Sequence, residues 1–298
     1  MGFSNSLSRG SIAAFVIVIV ILASFAATDG TPYQQSVEKW RQDYETKLKS
    51  DDGWLSVAGL FWLHEGENRF GSDPLNDIVL PAGTAPAVAG HFDLHARKTV
   101  VHVNPGVSIT MDGKAVEEAE LPPDSTQHRL VIGSLVLYVH ASGERFAIRM
   151  KDKNSRLRRE FAGLHWYPVN EAYRFQARYV PYDPPRPVAI QNMIGDTDKI
   201  SIVGYVSFQL NGQEYRLDAE KDDSGNLFIV FRDLTSSKDT YPAARFLDTD
   251  PPMNGSVEVD FNKAYNPPCA YNPYTTCPLP SPGNRLRVEI PAGEKRYH

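Results

Sequence analysis

The 298-residue chain has 42% hydrophobic and 22% charged residues and a formal net charge of −5. That balance is ordinary for a globular protein long enough for one large or two modest domains. A mildly acidic chain offers no electrostatic footprint for nucleic acid. The most basic stretch, Lys151 to Arg159, is short and interleaved with Asp152 and Asn154. It reads as a solvated strand end or linker, with anion binding by Arg156, Arg158 and Arg159 as the alternative.

In chain order, the first element is an apolar run over residues 12–27, preceded by Arg9 and ending in small residues placed for cleavage after Ala26. It is shorter than the roughly 20 residues that span a bilayer. Residues 1–26 are therefore expected to be a secretory signal peptide and the protein to be exported, periplasmic or extracellular. The alternative is a membrane anchor formed by residues 12–27. Next, Gln34 to Ser50 is expected to form one amphipathic helix, because Val37, Trp40, Tyr44 and Leu48 recur every three or four residues.

From Trp54 the period shortens to alternation broken by Gly, Pro, Asn and Asp. Strands are expected at 54–60, 68–71, 87–95, 99–103, 108–111, 128–132, 135–141 and 145–151, and a junction follows over 161–168. Further strands are expected at 172–180, 200–210, 213–219, 226–232, 256–261 and 285–290. Asn211-Gly212 between two alternating runs is the strongest hairpin signal, since a type I′ turn needs positive φ at both central residues. Many short strands at this spacing indicate an all-β protein of two sandwich or barrel units with one N-terminal helix. The expected division is residues 33–160 for the helix and first unit and 161–298 for the second.

The segment Asp260 to Asn284 holds six prolines, three tyrosines and the only two cysteines. Proline removes a backbone donor and Asn favours turns, so the segment is expected to be an ordered loop and not a strand or helix. In an exported protein, Cys269 and Cys277 are expected to form a disulfide, which would contribute about 2–3 kcal/mol for so short a loop. A metal pair, a reactive thiol and two free thiols are the alternatives. His91 and His95 lie about 13 Å apart along a strand, too far for one metal ion. His102 and His140 are explained by strand alternation alone. No metal site and no cofactor are expected.

Two stretches carry a family resemblance: Asp52 to Pro81, beginning DGWLSVAGLFWLHEGENRFGSDP, and the loop from Asp260 to Lys295 with DTYPAAR at 239–245 just before it. Both resemble the DUF1684 family, a mainly bacterial and archaeal domain of unknown function, and the likeness extends from about Tyr33 to Lys295. It implies no activity that can be transferred residue by residue. Within it, Phe70 to Leu80 with His91 and Met111-Asp112-Gly113 is similar to the opening of forkhead-associated phosphopeptide-binding β-sandwiches. Such domains place an Arg after the Gly, where this chain has Ser72, so the charge-assisted phosphate contact is missing.

The candidate site comprises Asp233, Tyr241, Arg245, Asp260, Asn262, Tyr265 and Asn266, polar and aromatic groups on loops beside strands. One reading is a pocket in which Arg245 meets an anion and Asp233 or Asp260 acts as base. The other is a polar network that pins the proline-rich loop to the scaffold. The expected function is a cell-envelope module that binds a small polar ligand or a partner protein. A hydrolase-like enzyme and a purely structural envelope protein are the alternatives.

Overall fold

The computed structural model describes residues 1–2 and 30–297, so the expected signal segment falls outside the described residues from residue 3 onward. The first element is helix α1, Pro32–Leu48. Thr31 starts it through a capping box: the Gln34 amide donates to Thr31 Oγ1 at 3.2 Å, and Gln34 Oε1 accepts from the Thr31 amide at 2.9 Å. Pro32 occupies the first turn, where its missing donor costs nothing.

The first unit is a β-sandwich. One sheet runs in the order Val57–Trp62, Arg145–Asp152, Leu135–Ser142, Leu130–Ile132, Thr110–Met111, Lys114–Ala115. The other runs Ile78–Val79, Gly66–Gly71, Gly90–His95, Lys98–Val103, Glu118–Glu120. Alternate residues face inward (Leu135, Leu137, Val139 and Phe146, Ile148, Met150 from the first sheet, Phe70, Phe92 and Val101 from the second) and form one core. The opposite face of the first sheet carries Tyr138, His140, Arg149 and Lys151, which are buried as well. Something therefore covers the outside of this sandwich.

The cover comes from α1 and the second unit. A third sheet runs Arg245–Thr249, Leu227–Phe231, Gln213–Lys221, Thr197–Leu210, Arg174–Gln191, Ser256–Asp260, around a core that includes Val206, Leu217, Ile229, Phe231, Leu247, Val259 and Phe261. The hairpin at Asn211-Gly212 is present, with φ of 53° and 77° and Leu210 paired to Gln213. The chain is thus all-β with an N-terminal helix.

Three departures from the sequence reading have physical causes. Arg174–Gln191 continues well past the expected end at Val180, through four prolines. Residues 174–178 pair with 256–260, and from Arg178 onward the strand pairs with 197–207, so the proline-rich part has a partner on one side only, across a register shift between Pro181 and Arg186. Proline is tolerated on a strand with one open side. Arg245–Thr249 is a strand that was missed, hidden by the preceding Tyr-Pro-Ala-Ala turn. The strand expected at 285–290 does not form. That stretch makes only scattered backbone bonds, such as the Leu286 amide to Arg232 O at 2.8 Å and the Leu234 amide to Val288 O at 3.0 Å. Prolines at 280, 282 and 291 frame it and prevent a continuous ladder.

Candidate functional site

The expected site residues are divided among five places. Arg245 and Asp233 form a fully buried ion pair, Nη1 to Oδ2 at 2.7 Å, and Arg245 also donates to the carbonyls of Ile290, at 3.1 Å, and Ala292. Asp260 and Asn262 join α1 to the second unit. Tyr33 Oη donates to Asp260 Oδ1 at 2.9 Å, and Asn262 holds the Asn170 amide at 2.8 Å and the Asn170 carbonyl at 2.9 Å. Asn266 binds the buried Glu294 through its amide at 2.8 Å and its side chain at 2.7 Å. Tyr241 Oη donates to Cys269 O at 3.1 Å. These six residues form the structural network that pins the loop and the C-terminal segment. Tyr265 alone of the expected set lines a cavity.

The disulfide is corrected: Cys269 and Cys277 are free thiols. The buried Cys277 Sγ is held instead as a hydrogen-bonding group, accepting from the Cys269 amide at 3.2 Å and lying 3.7 Å from Thr275 Oγ1. Burial works to raise the Cys277 thiol, but its bonds to Cys269 outweigh burial and lower it; Cys269 is raised in turn by that same contact.

The cavity is a cleft of about 700 Å³ between the two units. One wall is aromatic. From α1, Trp40 stacks on Tyr44 at 5.4 Å, Tyr44 lies 4.9 Å from Tyr265, and Tyr265 meets Phe246 edge-on at 5.9 Å. Tyr265 Oη donates to Asp248 Oδ2 at 2.7 Å. Burial raises the Asp248 carboxyl above its ordinary range against that bond and the charge of Lys47.

The other wall is the polar outer face of the sandwich, built by strand alternation. Tyr138 pairs opposite Arg149 and His140 opposite Ala147, so Tyr138, His140, Arg149 and Lys151 share that face. Lys151 is paired with Asp52 at 2.5 Å, and Arg129 joins the same carboxylate at 2.8 Å. Arg149 is different. It is 5% exposed, and its Nε has no hydrogen-bond partner. It bonds the Tyr138 side chain and donates to Thr276 Oγ1 at 3.4 Å, and its guanidinium lies 5.9 Å from the Trp54 ring. Among the described residues no carboxylate lies within ion-pair distance of it.

The proline-rich loop brings Thr276 to this wall. Residues 277–279 are fixed to the end of the long strand by the Met193 amide to Cys277 O at 3.0 Å and the Leu279 amide to Gln191 O at 2.8 Å. Asn272 Nδ2 donates to Trp54 O at 3.2 Å and ties the loop to the sandwich. Thr276 Oγ1 then lies 2.8 Å from His140 Nε2, and His140 Nδ1 lies 2.7 Å from Asp124 Oδ1. Asp124 is fixed by its own amide bond to Val139 O at 2.9 Å and by the Ala141 amide to Oδ2 at 3.1 Å. Burial pushes its carboxyl up, yet the hydrogen bond from His140 prevails and holds it below its ordinary value. An ionised Asp124 fixes the proton on His140 Nδ1 and leaves Nε2 to accept from the threonine hydroxyl.

Sequence reasoning missed Asp124, His140, Arg149 and Thr276. His140 and Arg149 were visible as polar positions in the alternating runs LVLYVHAS and RFAIRMKD. Nothing in the sequence placed residues 136 apart side by side.

Fold and cleft together define a two-unit β protein whose concave site lies between the units. The chain belongs to the DUF1684 family: that family's model, described as a protein of unknown function, matches residues 159–295. An uncharacterized protein from Haloarcula marismortui, solved by NMR, is 32% identical over 46% of this chain and 78% of its own, with a TM-score of 0.40. The FHA domain of FhaA, crystallised with the intracellular domain of Rv3910, is 15% identical over 31% of this chain and 97% of its own, with a TM-score of 0.23. No curated protein matches the chain.

Proposed function

We propose that the inter-unit cleft binds a small organic acid, with the carboxylate on Arg149 and the apolar body against Trp40, Tyr44, Phe246 and Tyr265. The observation that carries this reading is the buried Arg149 guanidinium without a counter-ion. A buried charge costs several kcal/mol unless it is paired, and proteins otherwise supply the partner. Lys151, two residues away on the same face, has its partner in Asp52. The missing anion is supplied by the ligand, and the aromatic wall gives that ligand's body a place to be buried. The apolar run at residues 12–27 supports placing this binding module in the cell envelope. N-terminal sequencing of protein from fractionated cells checks the placement: a chain starting at Ala27 agrees with it, and a full-length chain in the cytosol contradicts it.

Isothermal titration with 4-phenylbutyrate tests the site. The wild-type protein is expected to bind, and Arg149→Met to bind at least tenfold more weakly, as loss of a charge-assisted hydrogen bond worth about 1.5–3 kcal/mol requires. Equal affinity in the two proteins refutes the assignment. Free of ligand, Arg149→Met is expected to melt no lower than wild type, because it removes an unpaired buried charge held for binding and not for stability. A drop of several degrees in a thermal melt would show that Arg149 is structural.

A further inference from the structure

The line Asp124–His140–Thr276 opens into this cleft and does more than a binding site requires. We propose that the cleft hydrolyses carboxylic esters, with Thr276 as nucleophile, His140 as general base and Asp124 as the residue that holds the imidazole. This rests on the reading of the cleft as a carboxylate site, because the acid it binds is the product of the cleavage. Two of the contacts needed are present, carboxylate to Nδ1 at 2.7 Å and Nε2 to hydroxyl at 2.8 Å, and the Arg149 guanidinium, with Nη2 at 3.4 Å from the nucleophilic oxygen, is the cation beside which the oxyanion would form. The residues come from three separate segments: a turn before the sheet, a strand of the sandwich, and the proline-rich loop of the second unit. No hydrogen-bond economy within one segment accounts for the alignment.

The chemistry balances without a co-reactant other than water. Thr276 Oγ1 attacks the ester carbonyl carbon while its proton passes to His140 Nε2. The carbonyl oxygen becomes the oxyanion beside the Arg149 guanidinium. The carbon–oxygen bond to the alcohol breaks, and His140 returns the proton to that leaving oxygen. Water then gives a proton to Nε2 and attacks the threonine ester, and collapse regenerates the Thr276 hydroxyl with the proton from His140. The carboxylate that leaves is the anion Arg149 retains. The acyl body fits the aromatic wall, so the substrate class is an ester of a hydrophobic, uncharged acyl group. Asp124 does not touch the substrate and acts by positioning His140.

The full chain is assayed with 4-nitrophenyl butyrate, alongside 4-phenylbutyrate binding by the same preparations. Hydrolysis is expected in wild type, at least a thousandfold less in Thr276→Val and His140→Gln, and substantially restored in Thr276→Ser. Thr276→Val is expected to melt within a few degrees of wild type, which shows that the variant is folded. In Asp124→Asn the pH–rate profile should move with the rate, a change that a merely structural role would not produce. An acyl adduct mapped to Thr276 after acid quench supports the mechanism. Hydrolysis unchanged in Thr276→Val overturns it. Wild type that binds 4-phenylbutyrate but does not cleave the ester also overturns it, and leaves the binding site standing. Failure to bind the acid at all removes the binding site itself.

Discussion

Arg245→Met is expected to destabilise the protein by about 3–5 kcal/mol, because it strands Asp233 as an uncompensated buried charge. Both side chains are 0% exposed and meet at 2.7 Å. The same guanidinium donates to Ile290 O and Ala292 O, so the substitution also frees the C-terminal segment from the third sheet. That segment crosses closely enough that Gly293 is required: a Cβ there would lie 2.4 Å from Ala264 O, at a φ of +81° that disfavours any side chain. Urea unfolding measures the effect. Replacing both partners with apolar residues, Asp233→Leu with Arg245→Met, should recover most of the loss, since the penalty lies in the unpaired charge. A loss below about 1 kcal/mol for Arg245→Met would show that the pair does not anchor the tail.

The second large effect is a pH dependence set by Glu294. This carboxyl is 1% exposed and accepts from Asn266 and from Tyr271 Oη at 2.8 and 2.9 Å. Burial raises it to about 7, against the opposing bonds from Asn266 and Tyr271 and the charge of Arg245. Because the folded value lies above the unfolded one, the favourable contribution is complete below the ordinary carboxyl range near 4.5 and is lost as pH rises to about 7. The loss is on the order of 3 kcal/mol by the conversion of about 1.36 kcal/mol per unit. Urea unfolding at pH 5 and pH 8 is expected to show wild type losing that much more stability than Glu294→Gln over the interval. Comparison with the variant cancels groups that act in the opposite sense, such as Asp52 and Asp124, both held below their ordinary values. Parallel curves for the two proteins would contradict the assignment.

The elements of the fold were legible where one periodicity dominates. Leu135, Leu137, Val139 and Phe146, Ile148, Met150 alternate as a sandwich face must, and Val37, Trp40, Tyr44 and Leu48 recur at helical spacing. The long strand at 174–191 was not legible past Val180, because proline normally ends a strand and the open side that tolerates it is a tertiary property. The loop at 260–284 could be singled out from composition, but its contribution could not. The Asp/Arg/Asn cluster around it could be read as a pocket or as a network that pins the loop, and six of its residues form the network. A charged residue in a loop reads the same whether its partner is solvent, a ligand or another side chain. His140 looked like a strand residue explained by alternation, which is true of its backbone and silent about what covers its face. Only packing the second unit against the sandwich brings Thr276 to it, 136 residues away. The cysteines illustrate the same limit: their separation permits a bridge, and the structure uses them as two hydrogen-bonded thiols.

The central claim is that Arg149 lacks its counter-ion because the ligand supplies it. A crystal structure of the wild-type protein grown with 4-phenylbutyrate tests this most directly. The account predicts the carboxylate against the Arg149 guanidinium, within hydrogen-bond reach of Thr276 and His140, and the phenyl ring among Trp40, Tyr44 and Tyr265. An empty cleft with an unpaired Arg149 at saturating ligand, or the acid bound elsewhere, would contradict it.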